Sequence, residues 1–141
     1  MKKLLSGLAV LFIFSNANAA DDIIYLPIDK ALQEARENGL IDASIEFKFG
    51  SKSGSKDKII AKNLMTNKKS NKVGKDAEVS CTRAFHSALI QFQQAAIKNG
   101  GKKVVNLTGY FKKIPYDSPT MFQCGVGSIM SGVTLRGDIA Q

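Results

Sequence analysis

Three kinds of residue in this sequence could carry chemistry: one histidine, two cysteines and several lysine clusters. His86 stands alone. A general base needs a nucleophile or an orienting partner within reach, and zinc asks for three or four ligands, so a lone imidazole fits neither role. It reads as a partly exposed structural histidine. Cys81 and Cys124 show no C-x-x-C spacing, so they read as a structural bridge rather than a reactive thiol pair. Lys68, Lys69, Lys72 and Lys75, with Lys112 and Lys113, are the residues that would gather an anion. Tyr110, Phe111 and Tyr116 flank the last two, and interleaved aromatics help stack bases or sugars. The plainer reading of these lysines is a solvated surface. No catalytic constellation, metal-ligand set or cofactor motif emerges.

These residues need elements to position them. Asp76 to Gly101 is the clearest helix, expected over residues 77–99. Asp76 stands at the cap, Glu78 in the first turn, and Asn99-Gly100-Gly101 stops it. At about 100° per residue, Cys81, Phe85, Leu89 and Phe92 share one face with Ala84, Ala88 and Ala96. His86 falls near Ile90 and Ile97 on another side. That second apolar patch either packs on a neighbouring element or forms an oligomer or partner interface. A shorter helix is expected over 28–38, with Pro27 at its start and Asn38-Gly39 at its stop.

Strands are expected at 23–26, 43–49, 58–65, 104–111, 121–126 and 129–139. Residues 50–57 read as a flexible turn between two of them, and residues 66–75 as a polar loop. Short links between neighbouring strands favour a largely antiparallel sheet. The fold class is therefore α+β: helices on one face of the sheet, the Cys81 stripe on Phe122, Cys124 and Val126, and one helix-to-strand disulfide.

The first 19 residues read as an address. Lys2 and Lys3 form a positive region, Leu4 to Phe14 is apolar, and Ala17-Asn18-Ala19 is a small-x-small site. This is the pattern of a secretory signal peptide cut after Ala19, and its apolar run is too short to span a bilayer. The expected domain is residues 20–141. Cleavage removes two of the 20 basic residues and none of the 12 acidic ones, so net +8 falls to +6. The expected location is the periplasm or the medium, where two cysteines oxidise. A basic balance there points to a polyanion or an envelope partner, with nucleic acid ranked last.

The segments TNKKSNKVGK, CTRAFHSALIQFQ and GGKKVVNLTGYFKK, with FQCGVGSIMSGVTLRGD, resemble small exported bacterial proteins often labelled "excinuclease ATPase subunit". More distantly, the helix followed by VVNL is similar to the small YbjQ-type domain and to the Rcs envelope-stress lipoprotein. The latter reads envelope defects and has disulfides. This chain lacks its lipid-attachment cysteine and has two cysteines only. The ATPase label fails on chemistry. A P-loop needs G-x-x-x-x-G-K-[ST], but Gly74-Lys75 is followed by Asp76, and position 69 is lysine. The functional expectation is an exported, non-enzymatic binding or sensing module. The alternatives are a small enzyme whose site forms only on folding, and a structural oligomer.

Overall fold

The computed structural model describes residues 22–141. The expected signal peptide lies outside them. The order is β1 (Asp22–Pro27), α1 (Ile28–Glu37), β2 (Glu46–Phe49), β3 (Ile59–Asn71), α2 (Ala77–Lys98), β4 (Lys103–Gly109), a 3-10 turn (Phe111–Lys113), β5 (Met121–Val126) and β6 (Met130–Ala140). Both helices stop as their glycines dictate. Gly39 and Gly100 take left-handed backbone, with φ of 67° and 71°. Leu40 N–H then reaches Ala35 O, and Gly101 N–H reaches Ala96 O, so the last carbonyls are satisfied. Asp76 occupies the N-cap position of α2, but its side chain makes no capping hydrogen bond.

β6 is the axis of a six-stranded sheet. β3 pairs with it antiparallel along its whole length, from Ile59↔Ala140 to Asn71↔Met130. The other edge is shared. β5 takes its start (Gly125↔Gly132) and β4 its end (Val104↔Ile139), both antiparallel. β1 lies outside β5, antiparallel, and β2 outside β4. Only β2–β4 is parallel, so the sheet is mostly antiparallel. The helices cover one face, with α2 over β3 and β6 and α1 against α2.

The expected layering holds. Phe85 is fully buried and stacks on Phe122 with ring centroids 4.0 Å apart. Leu89 and Phe92 continue the stripe over a floor that includes Val133, Leu135 and Ile139. Cys81 and Cys124, both fully buried, are joined, with their Cα atoms 5.9 Å apart. The bridge thus ties the second turn of α2 to β5.

Two expectations are corrected. Residues 66–71 are strand, not loop. They have no apolar alternation because β6 holds them by backbone bonds along a sheet edge, where lysines also discourage pairing with other chains. Residues 50–57 are not a hairpin turn either. β2 and β3 do not pair, and the segment between them crosses the sheet face opposite the helices. Gly54 lies directly on Val105, where a Cβ would come 2.4 Å from Cγ2. Gly54 N–H donates to Asn106 Oδ1, and Asn106 N–H to Ser53 Oγ.

Asn63 and Asn106 mark bulges in β3 and β4, with φ of 57° and 55°. Both point hydrogen bonds at Asp138 of β6, from Asn63 N–H and from Asn106 Nδ2, each 2.8 Å. One carboxylate therefore sets two bulges on either side of the axial strand. Asn106-Leu107-Thr108 matches a glycosylation sequon, but the Asn106 amide is occupied in this network.

Asp57 closes the crossing segment by bonding Lys103 at 2.8 Å and Lys48 at 3.0 Å. The hydrogen bonds from Lys103 and then Lys48 hold its carboxyl below the usual carboxylate range. A carboxyl whose pKa is lower when folded stabilises the protein above its unfolded pKa. That contribution is lost as pH falls through the folded value. Asp57→Asn should therefore lower the melting temperature at pH 7, and the gap to wild type should close as the buffer is taken down through and below the ordinary carboxylate range. A gap that persists unchanged in acid would remove Asp57 from this role.

Candidate functional site

The lysines singled out in the sequence do not all meet. Strand alternation separates Lys68 from Lys69. Lys68 lies opposite Val133, on the helix side, whereas Lys69 lies opposite Gly132, on the other face. That outer face holds an open groove of about 450 Å³ between the 3-10 turn and the β5–β6 hairpin. Lys69 and Lys112 line it, with Phe111, Ile129, Met130 and Thr134. Its floor is glycine. A Cβ on Gly125 would fall 2.1 Å from Phe111 Cζ, so only glycine lets the ring come this close to β5. Gly132, paired with Gly125, leaves the ring 3.8 Å from the position of its own absent Cβ.

The turn that carries Phe111 is strained. Lys112 and Lys113 are both left-handed, with φ of 51° and 63°. Side chains pay about 1–2 kcal/mol each for that backbone. The turn is held by Lys113 N–H to Tyr110 O and Ile114 N–H to Phe111 O, each 3.1 Å, and by the ring on its glycine floor. Its result is to aim Lys112 at the groove, with Nζ 5.5 Å from the Phe111 centroid. Lys72 stands near the hairpin in the β3–α2 loop but does not line the groove. Its N–H donates to Ile129 O at 2.7 Å and its Nζ to Gly127 O at 3.4 Å. Of the six lysines, only Lys69 and Lys112 line the groove; Lys68, Lys75 and Lys113 do not.

Among the described residues, the ion pairs are Lys30–Glu78, Lys48–Asp57 and Lys103–Asp57. None of them involves Lys69, Lys72 or Lys112. These cations keep their charge available to a ligand.

His86 lies elsewhere. It is 8% exposed and its Nε2 is 2.7 Å from Ala31 O. A carbonyl only accepts, so Nε2 carries the hydrogen and the ring pins α2 to α1. Beside it runs a second crevice of about 560 Å³, with Lys30, Glu34, Glu78 and Arg83 on its walls. Lys30 and Glu78 pair there at 3.0 Å, and the Glu78 contact raises the Lys30 pKa. Both side chains are more than half exposed, so the pair adds little stability. Of the other two residues in the second apolar patch, Ile90 packs partly against the core, while Ile97 is 62% exposed.

Among the described residues no group of three or more histidine, cysteine or carboxylate side chains could hold a metal. Nor is any of their helices long and apolar enough to cross a membrane. The one buried side-chain oxygen without a partner among them, Gln123 Oε1, does not line the groove.

Compared with protein-family models, with curated proteins and with solved structures, the chain matches none. The groove therefore has to be read from its own chemistry. Its cations were visible in the sequence, and so was Phe111. Its glycine floor and the lips at Ile129 and Met130 were not, because no local pattern says that residues 111, 125 and 132 converge.

Proposed function

We propose that this protein is an exported, non-enzymatic binding module for an anionic component of the cell envelope, and that the groove between the 3-10 turn and the β5–β6 hairpin is its site. The observation that carries this reading is the pairing of unneutralised cations with a fixed aromatic platform. Among the described residues Lys69 and Lys112 stand at the groove without carboxylate partners, and a strained turn holds Phe111 against the glycine floor. Backbone strain of this kind persists where surrounding structure over-determines it, commonly at binding sites. The buried bridge and the secretory pattern at residues 1–19 support an oxidising location. The ATPase reading has no phosphate loop to support it.

The alternative of a small enzyme would use the crevice beside His86. That crevice supports it less well, because the imidazole Nε2–H is already given to Ala31 O and the Lys30 ammonium to Glu78. The structural-oligomer alternative rests on the exposed Ile97 alone.

A soluble heparin fragment is a convenient polyanion probe. At low salt the wild-type protein should bind it, and binding should weaken steeply as salt is raised. Lys69→Gln combined with Lys112→Asn should weaken it about fivefold, from two exposed ion pairs at roughly 0.5 kcal/mol each. Asparagine at 112 tolerates the left-handed backbone. Equal affinity of the variant and wild type would refute the groove as the site.

A further inference from the structure

The same end of the sheet presents apolar side chains to solvent. Ile129 is 60% exposed and Met130 40%, both at the β5–β6 hairpin. Val73, 63% exposed, sits in the β3–α2 loop next to Lys72, whose backbone is bonded to Ile129. These aliphatic tips stand beside Lys69, Lys72 and Lys112. The charge around them is mainly positive, although Asp22, paired with Val126 on β5, and Asp76, next to Lys75, border the same end. The stretches 67–75, 110–116 and 123–136 build this end, and none contains an aspartate or glutamate.

We infer that this end of the molecule docks on the surface of an anionic phospholipid bilayer, with Ile129, Met130 and Val73 entering the headgroup boundary and the lysines meeting lipid phosphates. The inference rests on the anion-binding reading of the groove and names its partner. Charge complementarity selects this occupant. A bilayer with anionic lipids attracts each nearby lysine, and its acyl boundary accepts isolated aliphatic tips. A soluble glycan would use the lysines and Phe111 but leave the tips in water. A protein partner would need a complementary surface of about 1,000 Å² or more in total, whereas the tips here project from two separate turns around an open groove.

Two variants separate the contributions, and neither touches the core. Val73→Ser removes an exposed tip that lies outside the groove lining. Lys69→Gln with Lys112→Asn removes two charges. The purified protein is spun down with vesicles of phosphatidylglycerol in phosphatidylcholine, and with phosphatidylcholine alone, while heparin-fragment affinity is measured in parallel. Wild type should pellet with the anionic vesicles only. Val73→Ser should lose about tenfold in vesicle affinity and nothing in heparin affinity, because Val73 does not line the groove. The lysine variant should lose about thirtyfold on vesicles and should also weaken on heparin. If the protein binds heparin but not anionic vesicles, or if Val73→Ser leaves vesicle binding unchanged, the bilayer inference is overturned and the anion-binding reading survives. Equal pelleting with both vesicle types overturns it as well. Binding to neither probe overturns both readings.

Discussion

Replacing Cys81 and Cys124 by alanine should lower the free energy of unfolding by about 4 kcal/mol. The bridge closes a loop holding most of α2, all of β4, the 3-10 turn and the first part of β5. In the chain-entropy account, a loop of about 44 residues restricts the unfolded chain by that amount. A domain of this size has a net stability of about 5–15 kcal/mol, so the loss is a large share of it. Urea unfolding of the oxidised protein, the reduced protein and the double variant checks it. Reduced protein and variant should unfold at similar, much lower urea concentrations. A difference from oxidised protein below about 1 kcal/mol would mean that α2 stays on β5 without help from sulfur.

Phe85→Ala should cost about 3–5 kcal/mol, the range for emptying a buried aromatic site. Phe85 has no exposed surface, stacks on Phe122 and tilts against Phe49 at 5.8 Å. Neighbours on both sides are held by the sheet and cannot close the gap. Ile97→Ala, on the same helix but mostly exposed, should stay within about 0.5 kcal/mol. Urea midpoints of the two variants give the comparison. A large loss at Ile97 would instead reveal that its face is covered by a second copy of the chain.

The helix carrying Phe85 was legible because periodicity and stop signals are local. Its apolar stripe, the Asn99-Gly100-Gly101 stop and the pairing of the only two cysteines needed no tertiary knowledge. The second half of β3 was not legible. Residues 66–71 are polar on both faces, and their strand character comes from β6, about 60 residues later. The parallel β2–β4 pairing was hidden for a similar reason. Residues 50–57 have a turn-like composition, but their Gly54 and Ser53 are bound to the Asn106 bulge rather than to a hairpin.

The candidate site was half visible. Six lysines could be counted, but strand alternation sends Lys68 to the helix side, while a pair of left-handed residues aims Lys112 into the groove. Nothing in the local sequence marks Gly125 and Gly132. Their meaning depends on the Phe111 ring, which reaches them only after the chain has turned back on itself.

The most direct measurement is the heparin-fragment titration read residue by residue from backbone amide shifts. Binding at the groove predicts that the perturbed amides cluster at Lys69, at Phe111 to Lys113 and at Ser128 to Gly132. Arg83 and His86, in the other crevice, should stay still. Perturbations centred on that α1–α2 crevice, or spread evenly over the exposed lysines, would contradict a built site on the outer face of the sheet.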